Sequence, residues 1–298
     1  MTDRIGRIVD AHIHLWDPAN TEWYPYLSGQ RDVGIGDLDR WARYFDQETY
    51  FSESAGWNVE KFVHVAAATD FIAETLQRDA DAQATGHPDA IIGGLTIWGP
   101  VGTCIEQLER QRAADRFRGV RPMAGSQPPP RPSEGKPPRV VAEPAVLDAM
   151  AERDLIFEIM AHPEQLVDAA RDLEAWGGEL TVVVEHTGWP HSDSAEEFDL
   201  WRTGMAALAD VGRQVHCKLS GLALPFGSME PELFRPWIDY CLETFGTERC
   251  FFASNFPPDG RGGTFDELYT AFDTITADLD RETRDRLFAT NAERVYRC

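Results

Sequence analysis

The chain has 298 residues, a formal net charge of −22, 43% hydrophobic and 26% charged residues; that size and balance suit one barrel-sized domain over residues 1–298 and exclude disorder as a description of the whole. So acidic a surface argues against nucleic acid or an anionic membrane as partner and points to a small molecule, with local Arg or Lys needed if that molecule is itself an acid. The N-terminal stretch lacks the pattern of a secretory signal, no apolar run approaches the ~18 residues of a membrane span, and five scattered cysteines show no CxxC spacing, so free thiols and a cytoplasmic location are expected.

The first apolar run begins at Arg7 and ends in Asp10-Ala11-His12-Ile13-His14. Strand alternation puts His12 and His14 on one face, where two imidazoles can share a divalent metal. Residues 16–58 break the rhythm. They carry Trp16, Trp23, Tyr24, Tyr26, Trp41, Tyr44 and Phe45, which either wall an apolar pocket or pack the loop onto the body. A second strand begins at Lys61 and carries His64, whose parity with Ala66 would let it touch substrate; hydrogen bonding in the core is the commoner fate of such a histidine. A helix over 71–85 follows, then a third strand from Ala90, a helix over 103–115 and a fourth strand from Phe117. Arg121 stands at the end of that strand, placed to bind a substrate carboxylate.

A second irregular stretch, 125–139, is rich in proline and reads as a loop over the site, either a lid or a surface excursion. After a helix over 144–153, the fifth strand, from Leu155, sets Glu158, Met160 and His162 on one face. Glu158 is there a buried carboxylate, with chemistry or an internal ion pair as its role. A helix over 163–176 leads to the sixth strand, from Leu180, where parity groups Val182 and Val184 with His186. A helix over 195–210 precedes the seventh strand, from Gln214, whose His216, Lys218 and Ser220 share a face. Lys218 would bind a substrate carboxylate or pair internally with Glu158 or Glu185. A helix over 231–245 and an eighth strand from Cys250 follow, and helices over 265–278 and 281–294 close the chain. Eight strands alternating with helices predict an α/β fold of the closed (β/α)8 barrel type, with long loops after strands 1 and 4 on the active-site side.

The ordered set DAHIHLWDP, GVRPM, HPEQL, EHTGWP, CKLSGL, FFASNFPPD and NAERVYR, spanning Val9 to Arg297, is similar to the amidohydrolase-related family. Within that family it most resembles the branch of barrel hydrolases that contains sugar-acid and muconate-type lactonases. The resemblance implies that His12 and His14 are the first-strand pair, His186 the sixth-strand histidine and His162 its fifth-strand counterpart. Such groups either hold one divalent metal, most often zinc, or polarise a lactone without metal. At Asn255 the chain departs from the family, which usually has an aspartate there to activate water. An amide cannot take a proton at neutral pH, so the base must come from Asp259, His186, His162 or Glu158. The expected function is the opening of a small lactone, with Arg121, Lys218, His64 and Trp16 contacting substrate. A decarboxylase or hydratase, and a barrel that binds ligand without turning it over, are the alternatives; homo-oligomerisation stays open.

Overall fold

Each of the eight apolar runs is only a few residues long and is followed by a stretch with helical periodicity, so the chain can bury its strands only in a parallel sheet covered by helices. The computed structural model describes residues 4–28, 42–122 and 139–298. Its strands are β1 (Ile8–Ile13), β2 (Val59–Val65), β3 (Ala90–Leu95), β4 (Phe117–Pro122), β5 (Ile156–Ile159), β6 (Val182–Val184), β7 (Val215–Leu219) and β8 (Cys250–Phe252). They pair in parallel in chain order, each with the next. The ring closes just beyond β8, where the backbone N–H groups of His14 and Asn255 donate to the carbonyls of Phe256 and His12, both at 2.9 Å. Asp10 stitches the same seam: its carboxylate accepts the Ser254 N–H and the Tyr50 hydroxyl, both at 2.8 Å.

The helices are α1 (Gln47–Glu53), α2 (Phe71–Thr85), α3 (Val101–Gln111), α4 (Pro144–Ala151), α5 (Pro163–Trp176), α6 (Ala195–Val211), α7 (Ala223–Phe226), α8 (Pro231–Phe245), α9 (Phe265–Ile275), α10 (Arg281–Asp285) and α11 (Asn291–Tyr296). Local chemistry sets several ends. Pro163 opens α5 and Gly177, at φ 67°, closes it; Thr264 and Glu267 cap α9 reciprocally. The expected helix over 281–294 is interrupted by a π-helical turn, Arg286–Thr290, in which the Thr290 hydroxyl returns to the Asp285 carbonyl and carboxylate.

Side chains alternate between two apolar layers. Val9, Ala11, Val63, Val65, Ala90, Ile92, Ile156, Val183 and Phe251 fill the barrel, with Ala292, Val295 and Tyr296 of α11 packed into the same cluster. Phe62, Val120, Phe157, Val182, Val184 and Leu219 face outward onto Leu108, Leu166, Trp201 and Trp237 of the helices. In the long segment after β1, Trp16, Tyr24 and Phe45 are buried, so there the rings pack the loop onto the barrel. Trp41 lies outside the described residues, as does all of 125–139 except Arg139. No helix among the described residues is long and apolar enough to cross a membrane.

Candidate active site

His12 and His14 reach the barrel's interior because β1 carries a bulge. Asp10 pairs with Phe62 and Ile13 with His64, so three steps along β1 match two along β2. The His14 Nδ1–H donates to the Val65 carbonyl at 2.8 Å, which leaves Nε2 as a lone pair, and that atom lies 3.2 Å from His12 Nε2. Trp16 stacks parallel on His14, 5.3 Å between ring centres, and holds its plane.

His186 arrives by a different route from the one alternation predicts. Val183 is the inward residue of β6 while Val182 and Val184 face the helices, so Glu185 is next in line to point inward and His186 outward. Instead His186 and Thr187 both adopt left-handed backbone, φ 53° and 55°, and the turn swings the imidazole in beside His12, 4.5 Å between ring centres. Such conformations persist only where neighbours enforce them. Here the Trp201 indole donates to the Thr187 carbonyl, the Thr187 hydroxyl donates to the Ser220 carbonyl, and His186 Nδ1 meets the Ser220 hydroxyl at 3.1 Å. Gly221 makes room: a β-carbon there would sit 2.4 Å from His186 Cβ.

Glu185 thereby shares the site, and sequence reasoning considered it only as an ion-pair partner for Lys218. Its side chain is fully buried, 3.4 Å from His12 Nδ1 and 3.5 Å from the Arg121 guanidinium, yet neither carboxylate oxygen has a hydrogen-bond partner. Burial, reinforced by neighbouring Glu158 and opposed by Arg121, pushes its pKa up to about 8. A glutamate one residue past the last inward-facing strand position, beside the motif histidine, was the signal available in the sequence. Arg121, 7% exposed, also donates to the Ala66 carbonyl at the end of β2.

Below the histidines, Lys218 is fully buried and donates to both oxygens of Glu158, at 2.7 and 3.0 Å, while its ammonium lies 3.3 Å from His12 Nδ1. The Tyr296 hydroxyl donates to the same carboxylate at 2.5 Å. Burial opposes ionisation of Glu158, but Lys218 above all, with Glu185 and the Tyr296 hydroxyl beside it, holds it below the usual glutamate range. Lys218 and Glu158 therefore form the internal ion pair, and neither is free to contact a substrate carboxylate or take a proton.

Two other expected roles are corrected. His64 faces away from the pocket, since β2 turns Val63 and Val65 inward, and sits 3.4 Å from Glu74 of α2. Glu74 also accepts the N–H groups of Ala67 and Ala68 and the Tyr24 hydroxyl, all at 2.8 Å, so it pins the loops after β1 and β2. His162 does not join the other histidines because β5 ends at Ile159 and His162 becomes the cap residue of α5. Its ring stacks on His191 at 4.5 Å and is screened from His186 by Trp189, which contacts both. Asn255, at φ 52°, lies at the site's edge with its amide nitrogen donating to Asp259 at 3.1 Å. Asp259 also accepts the N–H groups of Gly221 and Leu224, both at 3.1 Å, which ties the loops after β7 and β8 together.

Burial first, then the neighbouring cations, holds His12 and His186 well below the usual imidazole range, and burial followed by Arg121 does the same for His14. Neutral imidazoles are ligands. Among the described residues, His12, Glu185 and His186 offer donor atoms within 4.8 Å of one another. The 3.2 Å between the His12 and His14 Nε2 atoms also approximates the ~3.3 Å ligand-to-ligand edge of a tetrahedral site with ~2.0 Å bonds. With both Glu185 oxygens otherwise unsatisfied, the donor set fits one divalent metal.

A family model described as Amidohydrolase matches residues 9–298. The uncharacterized protein y4mH of Sinorhizobium fredii is 29% identical over 301 residues, covering 97% of this chain and 98% of its own. An amidohydrolase from Burkholderia multivorans, solved with zinc bound, superposes with a TM-score of 0.75 at 20% identity, over 98% of this chain and 99% of that one. A probable 2-pyrone-4,6-dicarboxylic acid hydrolase from Acinetobacter baumannii, solved with citric acid bound, gives a TM-score of 0.70 at 14% identity, over 98% and 99% of the two chains.

Proposed function

This chain belongs to the amidohydrolase family, and from that premise we propose that it hydrolyses a small lactone bearing a carboxylate. One observation carries the reading: three buried, neutral imidazoles, those of His12, His14 and His186, converge with Arg121 and Glu185 at the C-terminal end of the barrel strands. Active sites of this architecture are built there. The family supports a hydrolase; the lactone rests on the chemistry of the residues.

Arg121 is the cation placed to receive the substrate carboxylate, since Lys218 is spent on Glu158. That carboxylate would displace the loose 3.5 Å contact between Arg121 and Glu185 with a directed, charge-assisted pair. Of the bases the sequence offered, three are engaged elsewhere. Glu158 is held by Lys218 and Tyr296, Asp259 by two backbone N–H groups and Asn255, and His162 lies behind Trp189. His186 remains, with Nδ1 anchored on Ser220 and Nε2 open to accept a proton from the attacking water in a metal-free centre. His12, Glu185 and His186 would together hold a metal such as zinc, and His186 Nε2 would then be a ligand rather than the base, the metal polarising the ester carbonyl and acidifying water. The name of the A. baumannii relative gives a 2-pyrone dicarboxylate as that protein's substrate, and a 2-pyrone is itself a cyclic ester.

A pH-stat assay against carboxylated lactones, including 2-pyrone-4,6-dicarboxylate, muconolactone and aldaric acid monolactones, with carbon dioxide monitored in parallel, tests the reading. One acid equivalent per turnover without carbon dioxide supports it. Carbon dioxide release overturns it in favour of a lyase, and binding without turnover across the panel in favour of a non-catalytic barrel.

A further inference from the structure

Tyr296 belongs to α11, the last helix of the chain, yet its ring stands inside the barrel among Val9, Val63 and Phe251, on the far side of Lys218 from the histidines. It is fully buried, packs edge-on against Phe251 at 5.7 Å, and presents its ring face to the Lys218 ammonium at 5.3 Å. Its hydroxyl makes one directed contact, the 2.5 Å hydrogen bond to Glu158 Oε1. That length belongs to the charge-assisted class, in which the donor fixes the carboxylate's rotamer as well as its charge.

The contacts then run upward without a gap. Glu158 receives Lys218 on both oxygens, at 3.0 and 2.7 Å, and the Lys218 ammonium stands 3.3 Å from His12 Nδ1. His12 Nε2 is in turn 3.2 Å from His14 Nε2, and His14 Nδ1 is fixed on the Val65 carbonyl at 2.8 Å. Resting on the proposed function, we propose that Tyr296 is a positioning residue of the histidine centre. It fixes Glu158, Glu158 fixes Lys218, and Lys218 sets the orientation of His12.

When the hydroxyl is removed, Glu158 Oε1 keeps its longer contact to the Lys218 ammonium, and the neighbouring Glu185 carboxyl brings no positive charge to compensate. The ammonium would then be drawn toward Glu158 and away from His12. A residue that only filled the barrel floor would do its work through the ring, which phenylalanine supplies equally well. Tyr296→Phe therefore separates positioning from packing.

The experiment uses the full chain with histidine-selective ¹⁵N labelling, reading the His12 ring nitrogens, together with kinetics on the lactone that the pH-stat panel identifies. In Tyr296→Phe the His12 signals shift while those of His191, whose half-exposed ring stacks on His162, stay in place. The kcat falls about tenfold to a hundredfold, the scale of a misplaced catalytic group, with KM within about threefold. Glu158→Gln, which preserves the side-chain shape, produces the same shift at His12 and serves as the reading if Tyr296→Phe does not fold. Wild-type His12 signals in a folded variant overturn the proposal. The NMR reading needs no substrate, so a failed lactone assay leaves it intact and counts against the proposed function alone.

Discussion

Glu185 and Arg121 face each other at 3.5 Å inside the barrel, yet neither oxygen of Glu185 accepts a hydrogen bond. A buried carboxylate left in that state is costly unless something else completes it. In this site the available completions are a proton, shared with Glu158, or a metal.

Metal content comes first. The purified protein is expected to carry about one divalent metal per chain, reduced to trace in His12→Ala and retained in His162→Ala. Elemental analysis of the three proteins checks it. A fully active wild type without metal would contradict the metal assignment and leave the imidazoles to polarise the lactone directly.

Arg121→Ala should weaken binding of carboxylated lactones by roughly tenfold to a hundredfold in KM, the scale of a charged hydrogen bond. Uncharged lactones of the same ring should be far less affected. Equal losses on both substrates would show that the guanidinium supports Glu185 rather than the substrate.

Gly221→Ala tests how His186 is held. Gly221 has φ 73° and an added β-carbon would lie 2.4 Å from His186 Cβ, so backbone strain and steric overlap act together. We expect a folded protein with kcat reduced by at least about tenfold, the cost of displacing a reacting group. Wild-type kcat in a folded Gly221→Ala would remove His186 from the reaction.

The pH dependence of stability tests Asp259. Burial pushes its pKa from 3.8 up to about 7 despite hydrogen bonds from Asn255, Leu224 and Gly221. With the folded pKa above the unfolded one, the stabilising difference is fully present below about pH 4 and is lost as pH rises through about 7. Thermal melts of wild type should therefore fall relative to Asp259→Asn across that interval, by a few kcal/mol at most. A difference that stays flat with pH would place the folded pKa near the ordinary value.

His64→Asn should cost about 1–3 kcal/mol of stability, because Glu74 would lose a neighbour in a fully buried cluster. Its kinetic constants should match wild type. A selective rise in KM would restore the substrate contact that its parity with Ala66 suggested.

The barrel was legible because its strand runs are apolar and short while the helices carry start and stop residues. Helices predicted over 71–85, 163–176 and 231–245 match α2, α5 and α8 residue for residue. The histidine pair on β1 was legible too, since alternation keeps His12 and His14 on the same side, although the bulge that turns that side inward was not. What failed was alternation beyond strand ends. His186 is inward through a left-handed turn, Glu185 is inward through ordinary parity, and His162 leaves the sheet because Pro163 opens a helix. His64 failed for another reason: a strand residue's face depends on the phase of its own strand, and the choice was settled by Glu74, which arrives from α2. Lys218 was rightly placed on the inward face, but only the contact list of a folded barrel could decide between a substrate and Glu158.

The most direct test of the account is a single turnover of the identified lactone in H₂¹⁸O by wild type and by His186→Asn. Hydrolysis at the histidine centre predicts one ¹⁸O atom in the newly formed carboxylate with the wild type, and a rate at least about a hundredfold lower with the variant. A product without ¹⁸O, or a folded His186→Asn that turns over at the wild-type rate, would contradict it.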